Sequence, residues 1–194
     1  MTARTGMVDL IDQFRGMADA GTADFTAGTI TYWNDDTSQK LLDRHRHNFI
    51  DLELQPVSFI TNGTTDWRDY YMPYTDLESG TAVFTIKDTT GSAYGTSVYT
   101  VDYQSGVITW GSNVLGSSIL VTGRHYDLNA AAAEAWRFKA ANVSKMYDFS
   151  TDNHNLKRSQ LRQSFLDNSR YYSGLAGPKS IEMYRGDMDN YDLD

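Results

Sequence analysis

The chain has no cysteine, which excludes a disulfide framework and any thiolate-held metal, and leaves no sequence argument for an oxidising compartment. No apolar run is long enough to cross a bilayer, and the first twenty residues are interrupted by Asp9, Asp12 and Arg15. Neither a membrane span nor a secretory leader is therefore expected, and a cytoplasmic origin is the simplest reading. The Asn-x-Ser/Thr matches at Asn62 and Asn142 then carry no weight. Positive charge is also scarce: 17 Lys and Arg against 25 Asp and Glu give a net charge of -8 and a pI near 4.9. Gripping nucleic acid over a broad face requires phosphates to be neutralised by Lys and Arg, so specific binding is not expected. A surface that repels DNA fits the composition better.

Catalytic signatures are missing too. The chain contains no glycine-rich phosphate loop, no nucleophile elbow and no zinc-binding His-Glu-x-x-His. His45 and His47 sit two residues apart in a segment that reads as helix, so they point to different faces and cannot chelate one ion. His125 and His154 stand alone in the sequence. The acidic pairs Asp35-Asp36 and Asp187-Asp189 lack the alternating ligand spacing of a calcium loop and read as a helix start and a solvated tail. Arg185-Gly186-Asp187 matches an integrin-ligand tripeptide, but three residues match by chance often. No cofactor, no metal and no enzymatic activity are expected.

What is present is ordinary globular material. The 194 residues are 40% hydrophobic, and 13 tyrosines and 4 tryptophans raise the aromatic share to 13%, a content that suits interfaces. Residues 8–20 place Leu10, Ile11, Phe14, Met17 and Ala18 at helical spacing, with Gly21 offered as the left-handed stop. A second helix is predicted from Trp33 towards Asn48, capped by Asn34, with Asp35 and Asp36 in its first turn and basic residues Arg44 to His47 at its end.

From Ile50 the texture changes. Val57-Ser-Phe-Ile, Ala82 to Lys87, Val98 to Tyr103, Val107 to Trp110 and Ser118 to Thr122 are short runs of β-branched and aromatic residues between turn clusters. Gln104-Ser105-Gly106 predicts a hairpin loop and Asp88 to Gly91 a second turn. Helix returns at Asn129, capped by Asp127 or Asn129, and a last helix is predicted from Leu156 to Ser173 with Gly174 as its stop. The fold class expected is α+β: a helical bundle of about four helices (1–49 and 127–175) carrying an inserted antiparallel β module (50–126) and an extended C-terminal arm (176–194).

Two features point to assembly. The helix after the β module is rich in alanine and carries two adjacent stripes, one of Ala133, Trp136, Ala140, Val143 and Tyr147, the other of Ala131, Ala135 and Phe138. Small residues allow close approach and aromatics supply area, so Ala133, Trp136, Phe138, Ala140 and Tyr147 are expected at a subunit interface. The arm, with Ile181, Met183, Tyr184, Arg185, Met188, Tyr191 and Leu193 among five acids, is too apolar for a solvating tail and too interrupted for a helix. Such segments order on a partner's surface. Lys157, Arg158, Arg162 and Arg170 make the last helix basic.

Tyr32-Trp-Asn-Asp-Asp36, Leu42-Asp-Arg-His-Arg46, Tyr99 to Gly106, Tyr126-Asp-Leu-Asn-Ala-Ala-Ala-Ala-Glu-Ala-Trp136, Tyr147-Asp-Phe-Ser-Thr-Asp152 and Arg158-Ser-Gln160 follow one another in an order that resembles the head-tail connector (adaptor) proteins of long-tailed bacteriophages. The resemblance runs to about Tyr172, and its words are structural phrases. It implies a structural virion protein of the neck: a homo-oligomeric ring, a dodecamer, under the portal protein. A terminal arm, here Ser180 to Asp194, would hold the portal, and the opposite face would receive the next neck or tail-completion protein. DNA would pass through an acidic lumen without specific binding. The β module is larger than the simplest members need and is expected on the outer or tail-facing side. A competing expectation is a carbohydrate- or ligand-binding β module built on Trp67, Tyr70, Tyr71, Tyr74 and Trp110. A hydrolase with paired carboxylates is a third, for which no spacing speaks.

Overall fold

The computed structural model describes residues 3–22, 25–27, 30–61, 63–143, 149–151, 154–156 and 158–177. The expected arm from Ser180 to Asp194 and the interface residue Tyr147 lie outside them.

Helix α1 (Val8–Ala18) follows a 3₁₀ turn, Thr5–Met7, and turns Leu10, Ile11, Phe14 and Ala18 inward. Asp19 takes the left-handed position at its end with φ 47°, where Gly21 was expected; Asp, like Asn, tolerates this conformation better than most residues. A two-stranded hairpin, β1 (Phe25–Ala27) and β2 (Ile30–Tyr32), leads to α2 (Asp35–Leu42). Asn34 caps α2 as predicted, its Oδ1 accepting from the Thr37 amide at 2.8 Å.

The second helix is shorter than its sequence suggested. It tightens into a 3₁₀ turn at Asp43–His45, and Arg46 begins strand β3 (Arg46–Leu54). The basic residues Arg44 to His47 therefore do not form a helix terminus. Pairing with strand β9 (Ile119–Tyr126), which sets Arg46 opposite Tyr126 and His47 opposite His125, overrides the local helical tendency and starts the β module at residue 46.

The module holds two antiparallel sheets. Strand β6 (Thr85–Lys87) joins β3 and β9 in the order β3-β9-β6, while β4 (Pro56–Thr61), β5 (Thr64–Tyr71), β7 (Tyr99–Asp102) and β8 (Val107–Trp110) form β4-β5-β8-β7. Strand β5, whose Asp66, Arg68 and Asp69 hid it from the hydrophobic pattern, was not expected. The predicted hairpin is present, with Tyr99 opposite Trp110 and Asp102 opposite Val107. Gly106 closes it at φ 72°, and a Cβ there would stand 2.2 Å from the Tyr74 carbonyl oxygen, so glycine is required twice over. The turn at Asp88 to Gly91 also forms. The Asp88 carboxylate accepts from the Thr90 hydroxyl and from the amides of Thr90 and Ser92, and these bonds, the Thr90 hydroxyl's first, hold it below the usual carboxylate range.

Helix α3 (Leu128–Val143) continues from β9, with Asp127 as its N-cap: Oδ1 accepts from the Ala130 amide at 2.9 Å. A short hairpin, β10 (Phe149–Thr151) with β11 (His154–Leu156), precedes α4 (Arg158–Leu175), which runs through Gly174 rather than stopping there. The expected α+β class is the observed one: the described residues hold four α-helices and the antiparallel β module.

Two cores result. One gathers Leu10, Ile11 and Phe14 of α1, Trp33, Leu41 and Leu42 around α2, and Ala131 and Ala135 of α3. The other lies in the module between its two sheets, where Phe49, Leu54, Ile119 and Val121 meet Tyr70, Ile108 and Trp110. Burying apolar area is the main favourable term in each.

Candidate functional site

Where the two cores meet, the chain places a charged cluster. Glu78, 1% exposed, accepts from Arg4 Nε at 2.7 Å and from the Tyr126 hydroxyl at 2.6 Å, with Arg124 Nη1 at 3.4 Å. Arg4 also forks onto Asp43, at 2.6 and 3.0 Å, and donates to the Tyr126 oxygen at 2.9 Å. Beside it, Gly6 lies so close to Ser79 that a Cβ would come within 2.0 Å of the Ser79 carbonyl oxygen. One arginine near the start of the chain thus joins the end of α2, the loop before β6 and the end of β9.

The electrostatics of this cluster are those of a lock. Burial pushes the Asp43 carboxyl up, but the hydrogen bonds and charge of Arg4, with Arg46 behind, outweigh it and leave Asp43 below the usual range. The Arg4 guanidinium is raised, chiefly by its bond to Asp43. The Tyr126 hydroxyl is pushed above its ordinary value by burial first and by the Glu78 carboxylate second. A general acid or base needs a pKa near the working pH and a proton free to move. Arg4, Asp43 and Tyr126 are shifted away from neutrality with the Arg4 and Tyr126 donors already engaged, so the cluster fixes the junction.

On the next face, ring side chains stack in sequence. Phe49 lies over Tyr74 at 5.4 Å between centroids, Tyr74 over His125 at 4.2 Å and 8°, and His125 over His47 at 5.0 Å and 18°. The stack borders an open cavity of about 750 Å³ that also reaches Arg44, His45, Asp76, Asp127 and Gly177. His45 Nε2 stands 2.8 Å from Glu134 Oε2, and Arg44 donates to the other oxygen. Burial lowers the His125 pKa, with the His47 charge adding to it and Asp127 opposing. Burial raises Asp76, Asp127 adding to it and the Thr75 hydroxyl opposing. Sequence spacing had set His125 apart from His47. The β3–β9 register brings them together, and nothing local in either segment announced it. Among the described residues no group of His, Asp and Glu is arranged to hold a metal ion.

The interface residues expected on α3 divide. Ala133, Trp136 and Ala140 are buried within the chain, at 4%, 6% and 2% exposure, while Phe138 is 37% exposed. Helix α4 covers one side: the Ser169 hydroxyl donates to the Ala133 carbonyl at 2.9 Å, Arg137 Nε donates to Ser169, and Trp136 lies 5.3 Å from Phe165. Ala131 and Ala135 face α1. Trp136 spans the two, its Nε1 donating to the Met17 carbonyl at 3.1 Å, with Lys139 over its ring and bonded to the Asp19 carbonyl.

Among the described residues two elements stand out for exposed apolar side chains. Along α4, Leu161, Tyr171 and Leu175 are 45%, 63% and 52% exposed. Strand β4, hydrogen-bonded to β5 and otherwise at a sheet edge, bears no charged residue and exposes Val57, Phe59 and Ile60. Of the aromatics expected to form a ligand platform, Tyr70 and Trp110 are core residues. The Tyr70 hydroxyl donates to the Ser117 carbonyl at 2.5 Å, and burial first, then Tyr94, pushes its pKa up to about 12. Tyr74 is taken up by the ring stack, and Tyr71 stands exposed.

No family model matches the chain, and no curated protein matches it. Among the described residues no helix is long and apolar enough to cross a membrane.

Proposed function

We propose that this chain is a structural protein of the bacteriophage neck, a head-tail connector whose copies form a ring beneath the portal vertex. One observation carries the reading. Helix α4 is 18 residues long, yet of its described side chains Ser169 alone is buried, and apolar Leu161, Tyr171 and Leu175 face outward. A helix in water draws its stability from packing its apolar side, so a second neighbour is needed beyond α3. The charge-free edge of β4 asks for the same, because natural proteins normally blunt open edges with charge. Two such surfaces, on the helical part and on the module, suit a protein covered by other copies and by further neck proteins. The net charge of -8 suits a lumen along which DNA slides.

In this reading residues Ser180 to Asp194 are the portal-holding arm, and the protein works in the virion after synthesis in the host cytoplasm. The test is particle imaging of the purified chain, alone and with purified portal protein. Closed rings on the portal are expected. A chain that stays monomeric and ignores the portal at high concentration overturns the proposal. Deleting Ser180 to Asp194 is expected to abolish portal association, and unchanged association removes the arm from it.

A further inference from the structure

We infer that His47 and His125 form an acid-opened joint between the helical part and the β module, a stacked pair that stays closed with one proton and parts when it takes a second. The joint stands whether or not copies of the chain form a ring.

Strand pairing builds it. His47 lies directly opposite His125 in the β3–β9 register, and His125 is also bridged to Leu77. Opposite residues of an antiparallel pair share one face of the sheet with their Cβ atoms close, and here the two rings stack at 5.0 Å and 18°. His47 is exposed; His125 is half-buried, with Tyr74 stacked on it at 4.2 Å. The position is a crossing point of the chain. The 3₁₀ turn Asp43–His45 ends the helical part, and the first pairs of β3 are Arg46 with Tyr126 and His47 with His125.

One charge is tolerated, because exposed His47 keeps its contact with water. A second must go onto half-buried His125, at stacking distance from the first. The face of Tyr74 attracts a cation but carries no net charge to cancel one. Groups coupled in this way take up protons in two steps that belong to the pair. The carboxylates around the joint are already engaged. Asp127 accepts from the Ala130 amide through Oδ1 and from the Gly177 amide through Oδ2. Glu134 accepts from Arg44 and stands against His45. Asp76 accepts from the Thr75 hydroxyl, and burial raises its pKa, so acid moves it towards its neutral form. Arg46 and Arg124, next in sequence to the two histidines, bring further positive charge and face Asp43 and Glu78. Burial and the His47 charge lower the His125 pKa against Asp127, the direction that such surroundings dictate.

The sign of the response follows. Parted rings take both protons near the ordinary histidine value of about 6.5, whereas the closed pair resists the second. The open form therefore binds more protons, and the closed form loses stability as pH falls below that value. The Arg4 cluster does not follow it. Burial alone would raise Asp43, but Arg4 holds it below the usual carboxylate range, so it keeps its charge in mild acid. Acid thus loosens one side of the junction and leaves the other fastened.

The test is NMR on the full chain between about pH 7.5 and about pH 5, the range in which histidine changes charge. Histidine ring signals are followed, and backbone hydrogen exchange is corrected for its intrinsic pH dependence. Opening of Arg46 to Phe49 is expected to become about tenfold more frequent at the acid end, the change that one pK unit between closed and open forms produces. Exchange at Val107 to Trp110 is expected to stay as it was. His125→Phe keeps a ring against Tyr74 and is expected to abolish the rise. His47→Gln, at an exposed position, is expected to remove most of it and to move the His125 midpoint upward. No rise in wild type, a rise shared equally by Val107 to Trp110, or a rise unchanged in His47→Gln overturns the joint. If His125→Phe does not fold, His47→Gln decides alone.

Discussion

Helices α3 and α4 are nearly equal in length, 16 and 18 residues, and they pack on each other, yet their surroundings are opposite. Seven α3 residues are buried, five of them alanine, because α1 and the α2 region close one side and α4 the other. In α4 the described side chains bury one serine, placed where a larger residue would hold the two helices apart. Burial here follows the number of neighbours rather than the hydrophobicity of the helix. The alanines of α3 stand in the interior, and Leu161, Tyr171 and Leu175 of α4 stand on the outside.

Substitutions that treat the two helices alike sharpen that contrast. The largest effect is expected from Trp136→Ala, which empties the space between Phe165 and the end of α1 and removes the bond to the Met17 carbonyl; a loss of about 3–5 kcal/mol in denaturant melts is expected. Next comes one change made twice. Ala135→Leu, at a fully buried position, is expected to cost about 1–3 kcal/mol, while Ser164→Leu on exposed α4 stays within about 0.5 kcal/mol. Equal costs at the two sites would mean that α4 is covered within the monomer. The smallest effect on the isolated chain is expected from Tyr171→Ser with Leu175→Ser, within about 0.5 kcal/mol. A clear drop in melting temperature at low protein concentration would contradict the outward placement of that face.

Much of this contrast could be read from residue spacing. The two stripes on α3 came from 3.6-residue periodicity, and Ala133 does meet a different neighbour from Ala131 and Ala135, while Trp136 touches both. Periodicity reports that a face is covered, not by what, and for Ala133 the cover includes α4 of the same chain. The caps at Asn34 and Asp127, the turn at Asp88 and the hairpin at Gly106 were legible because each is a local hydrogen-bond or φ requirement.

What stayed hidden depends on pairing at long sequence separation. Arg44 to His47 looks helical until β9 arrives to pair with it, and β5 lacks an apolar alternation because its Asp66, Arg68 and Asp69 are interspersed along it. Arg4 carried no signal at all. Its value comes from Asp43, Glu78 and Tyr126, three residues that only the finished fold collects.

That dependence sets an order of events during synthesis. Leu10, Ile11 and Phe14 share a core with Ala131 and Ala135, and Arg4 donates to a residue 122 positions later. Contacts at such separations form late because the intervening loop must close first. Within the first forty-five residues α1 and α2 already share part of the core, Phe14 lying 6.1 Å from Trp33, while the contacts to Ala131 and Ala135 wait for α3. A fragment ending at Tyr126 is expected to keep the core between the two sheets while the first core lacks its α3 side, which limited proteolysis of that fragment would check. Helix α3 is the piece that completes the first core.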